Sequence, residues 1–159
     1  EDYKSLWKWT VEYMHASGVH NLLYAYSTDI FWSEEQYMLR YPGDEWVDIM
    51  GWDAYHRPQE WDFLKGMADM AKTVSTLAER HHKLAAFTET GLESVYMNDW
   101  WTSYLLPSVR GYGLSWVLVW RNSQNMESHF FAPYSGHASE DDFRKMIDEE
   151  DILTVDDIK

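Results

Sequence analysis

The chain has 159 residues, of which 45% are hydrophobic and 17% aromatic, so it is too apolar for a disordered segment and long enough for one packed domain. Thirteen Lys and Arg stand against 27 Asp and Glu, and the net charge of −14 repels phosphate backbones and anionic membrane surfaces. Without Cys there is no disulfide frame, thiolate nucleophile or Cys-type zinc site, and no apolar run reaches the roughly 18 residues of a membrane span.

The chain opens inside a helical pattern and without an initiating Met, as expected for a piece of something larger. Leu6, Trp7, Thr10, Val11 and Met14 recur at helical spacing over 3–16, with Gly18 as the residue just past the helix end. "VHNLLYAYS" (19–27) reads as a buried strand. Ser33 and Gln36 form a capping box for "EEQYMLRY", which Pro42 and Gly43 close. "WVDIMGWDAYH" (46–56) is the second strand. A long helix over 59–81 follows, its stripe made of Phe63, Leu64, Met67, Met70, Ala71, Val74, Leu77 and Ala78. "KLAAFT" (83–88) is the third strand, ending at the Glu89-Thr90 pair. Asn98 is the expected cap of a helix through Trp101, Tyr104, Leu105 and Val109, kinked at Pro107. "LSWVLVW" (114–120) is the fourth strand, and Ser139 caps a last helix through Phe143, Met146 and Ile147.

Strand starts near 20, 47, 84 and 115 are spaced for strand–helix units with parallel strands, and their near-continuous apolar runs suit a sheet covered by helices. Each strand delivers polar or ionisable groups at its C-terminal end: Ser27-Thr28-Asp29, Asp53 to His56, Glu89-Thr90, and Arg121-Asn122 after Trp120. That rim is where parallel α/β folds hold their sites. An open doubly wound sheet would be self-sufficient at this length, but no GxGxxG or GxxxxGK[ST] follows any strand. The helix-first opening favours instead half of a (β/α)8 barrel, a fold of roughly 250 residues.

The ring content is lopsided, with ten Trp and eleven Tyr against six Phe. Such amphipathic rings suit the flat, polar faces of sugars. A carboxylate among Tyr, Trp, Arg and Asp, with no metal-ligand or phosphate-binding pattern, points to glycoside hydrolysis, in which two carboxyl groups flank the scissile bond. A nucleophilic carboxylate must stay ionised, which a tyrosine hydroxyl and an arginine both favour. Tyr55 is the candidate for the first, and Arg121 either supplies the second or binds substrate.

The combination "YKSLWKWTVEYM…GVHNLLYAYS", "YPGDEWVDIMGWDAYH", "FTETG", "VLVWRN" and "HFFAPYSGH" resembles glycoside hydrolase family 26, mostly secreted endo-β-1,4-mannanases with a retaining mechanism. The likeness runs from about residue 2 to about residue 147 and covers only the second half of the barrel, strands 5–8. It implies that 1–159 is the C-terminal half of a catalytic domain acting on β-mannan-type polysaccharide, with no cofactor and no metal. By the same likeness Glu89 is the nucleophile, Tyr55 orients it, and Asp53 is an active-site acid that meets substrate. Trp120 forms the floor under the sugar, and Arg121 holds the neighbouring sugar. The family's general acid/base lies on strand 4, before Glu1, so the chain alone is expected to be inactive until the N-terminal half of the same barrel joins it. Secretion to the cell surface, the periplasm or beyond is expected on the same grounds.

Other readings attach to particular residues. Within the family, β-1,3-xylan or mixed-linkage β-glucan are alternative substrates, and a carbohydrate-binding relative without catalysis is the alternative class. Glu93 is a rival acid four residues beyond Glu89. His81-His82 fit a helix terminus better than a metal, and His129 with His137 lack an acid at ligand spacing. Trp32 and Trp100 either extend a sugar cleft or pack beneath loops, and the acidic run of 141–151 reads as a solvated helix face.

Overall fold

The computed structural model of the chain describes residues 1–57, 59–60 and 62–157. Its frame is a four-stranded sheet in the order β1-β2-β3-β4, formed by Ala25–Thr28, Ile49–Tyr55, Leu84–Gly91 and Val117–Val119. Every neighbouring pair is parallel. The helices are α1 (Asp2–Ala16), α2 (Glu34–Met38), α3 (Phe63–Arg80), α4 (Leu106–Val109) and α5 (Glu140–Ile147). A doubly wound sheet reverses its strand order at a switch point, whereas here spatial order follows chain order throughout. Singly wound parallel strands alternating with helices are the wall of a (β/α)8 barrel, and four of them make half of one.

Helix ends are set largely as the sequence reads. Gly18, at φ 81°, closes α1: its N–H reaches His15 O at 3.0 Å and Val19 N–H reaches Met14 O at 3.0 Å. Ser33 accepts from Gln36 N–H at 3.2 Å, while the Gln36 side chain accepts from Trp32 N–H at 2.8 Å. Asp62 caps α3 through Lys65 N–H at 3.2 Å, so the helix starts at Phe63; Trp61, within the expected helix, lies outside the described residues.

The stripe of α3 is buried as expected except Leu64, which turns to solvent, and Leu6 of α1 is likewise exposed. Met67, Met70, Val74 and Leu77 pack with Met50 and Trp52 of β2 and Phe87 of β3, where Trp52 and Phe87 stack at 4.4 Å. Tyr26 of β1 joins this core against Tyr37 and Tyr41, edge-on at 5.4 and 5.3 Å.

Several expectations are corrected. β1 begins at Ala25, not at 19, because β2 offers it partners only from Ile49 onward; Tyr24 N–H goes to the Asp48 carboxylate at 2.8 Å, and Leu22 and Leu23 are exposed. β3 runs through Glu89 to Gly91 instead of stopping before the acid. The helix after Asn98 opens with a wide π turn over Trp101–Leu105, ahead of Pro107 in the first turn of α4. Its cap is not Asn98: Asp142 of α5 accepts from the N–H groups of Trp101 and Thr102, both at 3.1 Å, and from Thr102 Oγ1 at 2.6 Å. Asp142 is therefore buried, an exception to the solvated acidic face. Ser139 caps nothing through its side chain, which accepts the Trp101 indole N–H at 3.2 Å.

Candidate active site

Alternation along β2 and β3 sorts side chains onto two faces. Met50, Trp52 and Ala54, with Ala85 and Phe87, join the core under the helices, while Gly51, Asp53 and Tyr55 point the other way. The opposite registers are regular up to Trp52↔Phe87 and then slip, resuming at Asp53↔Glu89, Ala54↔Thr90 and Tyr55↔Gly91. Thr88 is the extra residue of a bulge in β3. Its side chain lies over Gly51, where a Cβ would sit 2.5 Å from Thr88 Cγ2 and 2.8 Å from Oγ1. Thr88 and Glu89 thus share the face that carries Asp53 and Tyr55.

On that face Asp53 Oδ1 accepts from Ser27 Oγ and from Thr88 Oγ1, each at 2.9 Å, and Thr88 Oγ1 is also 2.8 Å from Trp52 O. Three strands are thereby tied together beside Glu89. The Tyr55 hydroxyl donates to Glu89 Oε1 in a short contact. Burial first, then the Glu89 carboxylate and the Asp53 charge, push the Tyr55 phenol well above its usual range, with Arg57 opposing. Tyr55 is therefore a permanent donor to Glu89 at any ordinary pH.

Trp120, half-buried at the end of β4, is anchored by its N–H to Thr90 O at 2.9 Å. A cavity of about 260 Å³ lies beside it, lined also by Tyr55, His56, Arg57, Glu93 and Phe131. Arg121 is exposed next to Trp120, and among the described residues no ion pair joins it to Glu89. Glu93 is engaged by His129 Nδ1 at 2.7 Å. His56 is buried, stacked on Phe63 at 4.4 Å, and its Nδ1 accepts the Trp100 indole N–H at 2.9 Å. Because an indole only donates, that nitrogen carries no proton, and burial holds the His56 pKa below its usual value.

Trp100 is fully buried and extends no cleft, whereas Trp32 is exposed. His137 Nδ1 lies 3.0 Å from Ser139 Oγ, and His81 Nδ1 2.8 Å from Asp44 at the opposite end of the strands. Among the described residues no group of three or more His, Cys, Asp or Glu is arranged to hold a metal ion. Sequence reasoning brings out Glu89, Tyr55, Asp53 and Trp120, which the fold collects on one rim. It passes over Thr88 and Phe131 and has Asn122 only as a polar group at a strand end; the one signal was Gly51, a glycine inside an apolar strand.

The profile of Glycosyl hydrolase family 26 matches residues 1–136. A mannan endo-1,4-β-mannosidase of Bifidobacterium adolescentis is 36% identical over 97 residues, which are 57% of this chain and 10% of that protein. The solved GH26 β-mannanase of Bacteroides ovatus superposes with a TM-score of 0.91 at 39% identity, covering 97% of this chain and 45% of that one. GH26C from Muricauda sp. gives 0.89 at 32% identity, with coverage of 99% and 44%. The chain thus spans about a tenth of that curated relative and under half of each solved structure.

Proposed function

The chain belongs to glycosyl hydrolase family 26, and we propose that it forms the C-terminal half, strands 5–8, of a retaining endo-β-1,4-mannanase. The observation that carries this reading is the Tyr55–Glu89 contact on the strand-end rim, with Asp53 opposite Glu89 on the neighbouring strand.

Glu89 attacks the anomeric carbon of a β-1,4-linked mannosyl unit, and an acid from the N-terminal half protonates the departing oxygen. The sugar is then carried on the Glu89 carboxylate until water, activated by that same acid acting as base, releases it with net retention. Tyr55 fixes one carboxylate oxygen, which leaves Oε2 to attack along a defined line. Asp53 Oδ1 is held by Ser27 and Thr88, so Oδ2 remains to accept from a sugar hydroxyl. Trp120 provides the apolar floor under the ring, and Arg121, exposed beside it, binds the next sugar.

The acid/base and the remaining subsites come from the N-terminal half, so this chain alone is inactive. In support, among the described residues the sheet pairs no further at β1 or β4, Trp9 and Tyr13 of α1 are exposed, and Trp116 and Leu118 are exposed along the β4 edge. The net charge of −14 suits a neutral polymer. A polymeric substrate does not cross a membrane, which supports the reading of an extracellular, periplasmic or cell-surface enzyme.

The test uses the complete barrel and a 2-deoxy-2-fluoro-β-mannosyl fluoride, whose fluorine slows release of the covalent intermediate. Mass spectrometry is expected to find the label on the peptide containing Glu89; label elsewhere, or none, sinks the assignment. Turnover of mannan but not of β-1,3-xylan or mixed-linkage β-glucan fixes the substrate class.

A further inference from the structure

Tyr55 is the last residue of β2, and a phenol there has several staggered wells open to it. Its partner in register on β3 is Gly91, which offers no side chain to hold the ring. The space is filled from a different element. Phe131, from the loop after β4, is buried and packs edge-on against Tyr55 with ring centroids 5.4 Å apart at 64°. It lies so close over Gly91 that a Cβ there would meet Phe131 Cδ1 at 2.5 Å. The glycine is required because Phe131 occupies the place of its side chain.

Phe131 is itself held from three directions. Asn122 Oδ1 accepts from the N–H groups of Phe131 and Ala132, both at 2.9 Å, and Asn122 Nδ2 donates to Ala132 O at 2.9 Å. Ser94 N–H donates to Phe130 O at 2.7 Å and Ser94 Oγ to Ser128 O at 2.5 Å. His129, paired with Glu93, stands edge-on to Phe131 at 5.2 Å and 89°. Ser94 reaches these partners at φ 63°, and the next residue, Val95, sits at φ 38°, a value that is costly for a β-branched residue and persists only where surrounding contacts impose it.

We infer that Phe131 is a positioning residue for the nucleophile, keeping the Tyr55 hydroxyl on Glu89 by walling off the other positions of the phenol. The inference rests on the reaction proposed above and deepens it. In this role Phe131 acts on Glu89 through Tyr55, and the Asn122 amide and the Ser94 turn keep it in place.

The experiment is a double-mutant cycle in the complete barrel, with Phe131→Ala, Tyr55→Phe and both together assayed on manno-oligosaccharide. Phe131→Ala is expected to lower kcat by about 10- to 100-fold while KM moves less than about twofold. The double variant should match Tyr55→Phe within about twofold, because the route from Phe131 to Glu89 is already cut. Losses that multiply would overturn the proposal, as would a Phe131→Ala enzyme with unchanged kcat. Gly91→Ala, which expels the ring by a different route, should reproduce the kcat loss, and an unaltered kcat there also counts against it. Crystal structures of Phe131→Ala and Gly91→Ala decide independently of turnover: a Tyr55 hydroxyl still on Glu89 in both refutes the role. An unmutated barrel that leaves mannan intact overturns the proposed reaction, while those crystal geometries still decide the role of Phe131.

Discussion

Glu89 stands opposite Asp53, not opposite Ala54, because Thr88 is inserted between Phe87 and Glu89 without a partner on β2. In an unbroken register Glu89 would point into the helix-covered core, where an uncompensated carboxylate is prohibitively costly. Gly51 is the counterpart of the insertion, since its missing side chain is what gives Thr88 room. Gly51→Ala places a Cβ 2.5 Å from Thr88 Cγ2 and 3.1 Å from Ala86 O, and backbone cannot yield as a flexible side chain does. The expected cost is about 1–3 kcal/mol of stability, together with loss of most turnover, read by thermal unfolding and kcat on mannan.

Thr88 also contributes its hydroxyl. One proton cannot serve Trp52 O and Asp53 Oδ1 at once, so Ser27 supplies the second hydrogen bond to Asp53. Thr88→Val keeps the shape and removes the donor. We expect a loss of about 1–2 kcal/mol in denaturant unfolding and a rise in KM as Asp53 loosens. Thr88→Ser should restore KM; if Val and Ser behave alike, the hydroxyl has no such part.

Asp142 joins α5 to the π turn, serving two backbone N–H groups and one hydroxyl from a buried position. Asp142→Ala leaves those donors without a protein partner and should cost about 2–3 kcal/mol. Hydrogen exchange is the decisive measurement: faster exchange in 101–105 and 140–147, with 84–91 unchanged, is expected, whereas uniform acceleration contradicts a local clamp.

Tyr26 gives a prediction in alkali. Burial foremost, with Tyr3 adding to it, pushes its phenol up to about 12 against the opposing influence of Arg40. The unfolded phenol ionises near pH 10, so the folded state carries the raised value. Its contribution is whole below about pH 10 and is lost as pH climbs through about 12. Tyr26→Phe removes the hydrogen bond to Tyr37 O at 2.7 Å, and about 1 kcal/mol with it at pH 7. The difference from the unmutated protein should narrow between pH 10 and 12; urea midpoints at pH 7 and 11 check this, and a constant gap refutes it.

The four strands and the long helix are legible because an apolar run or a 3.6-residue stripe is local information. Strand length is not: β1 loses residues 19–24 because pairing depends on what β2 presents, 24 residues on, as in Ala25↔Ile49. The acid and its phenol can be picked out from strand-end position and family likeness, but the bulge that aims the acid cannot, since "FTET" reads the same with Thr88 in or out of register. Whether Arg121 faces Glu89 or the substrate is not legible for the same reason, since proximity in sequence to Trp120 says little about direction. The cap from Asp142 and the wall from Phe131 are contacts about forty and seventy-six residues distant in sequence, respectively, and only the closed fold brings them into view.

Asn122 fastens both ends of an excursion to itself, for the same amide that follows the fourth strand gathers the chain again at Phe131 and Ala132. Ser94 and Glu93 secure 128–130, and 124–127 folds back on Ser123, whose Oγ accepts from the N–H groups of Asn125 and Met126. That short arc, with Met126 out in solvent, is where extra residues can be grafted without disturbing the nucleophile's surroundings.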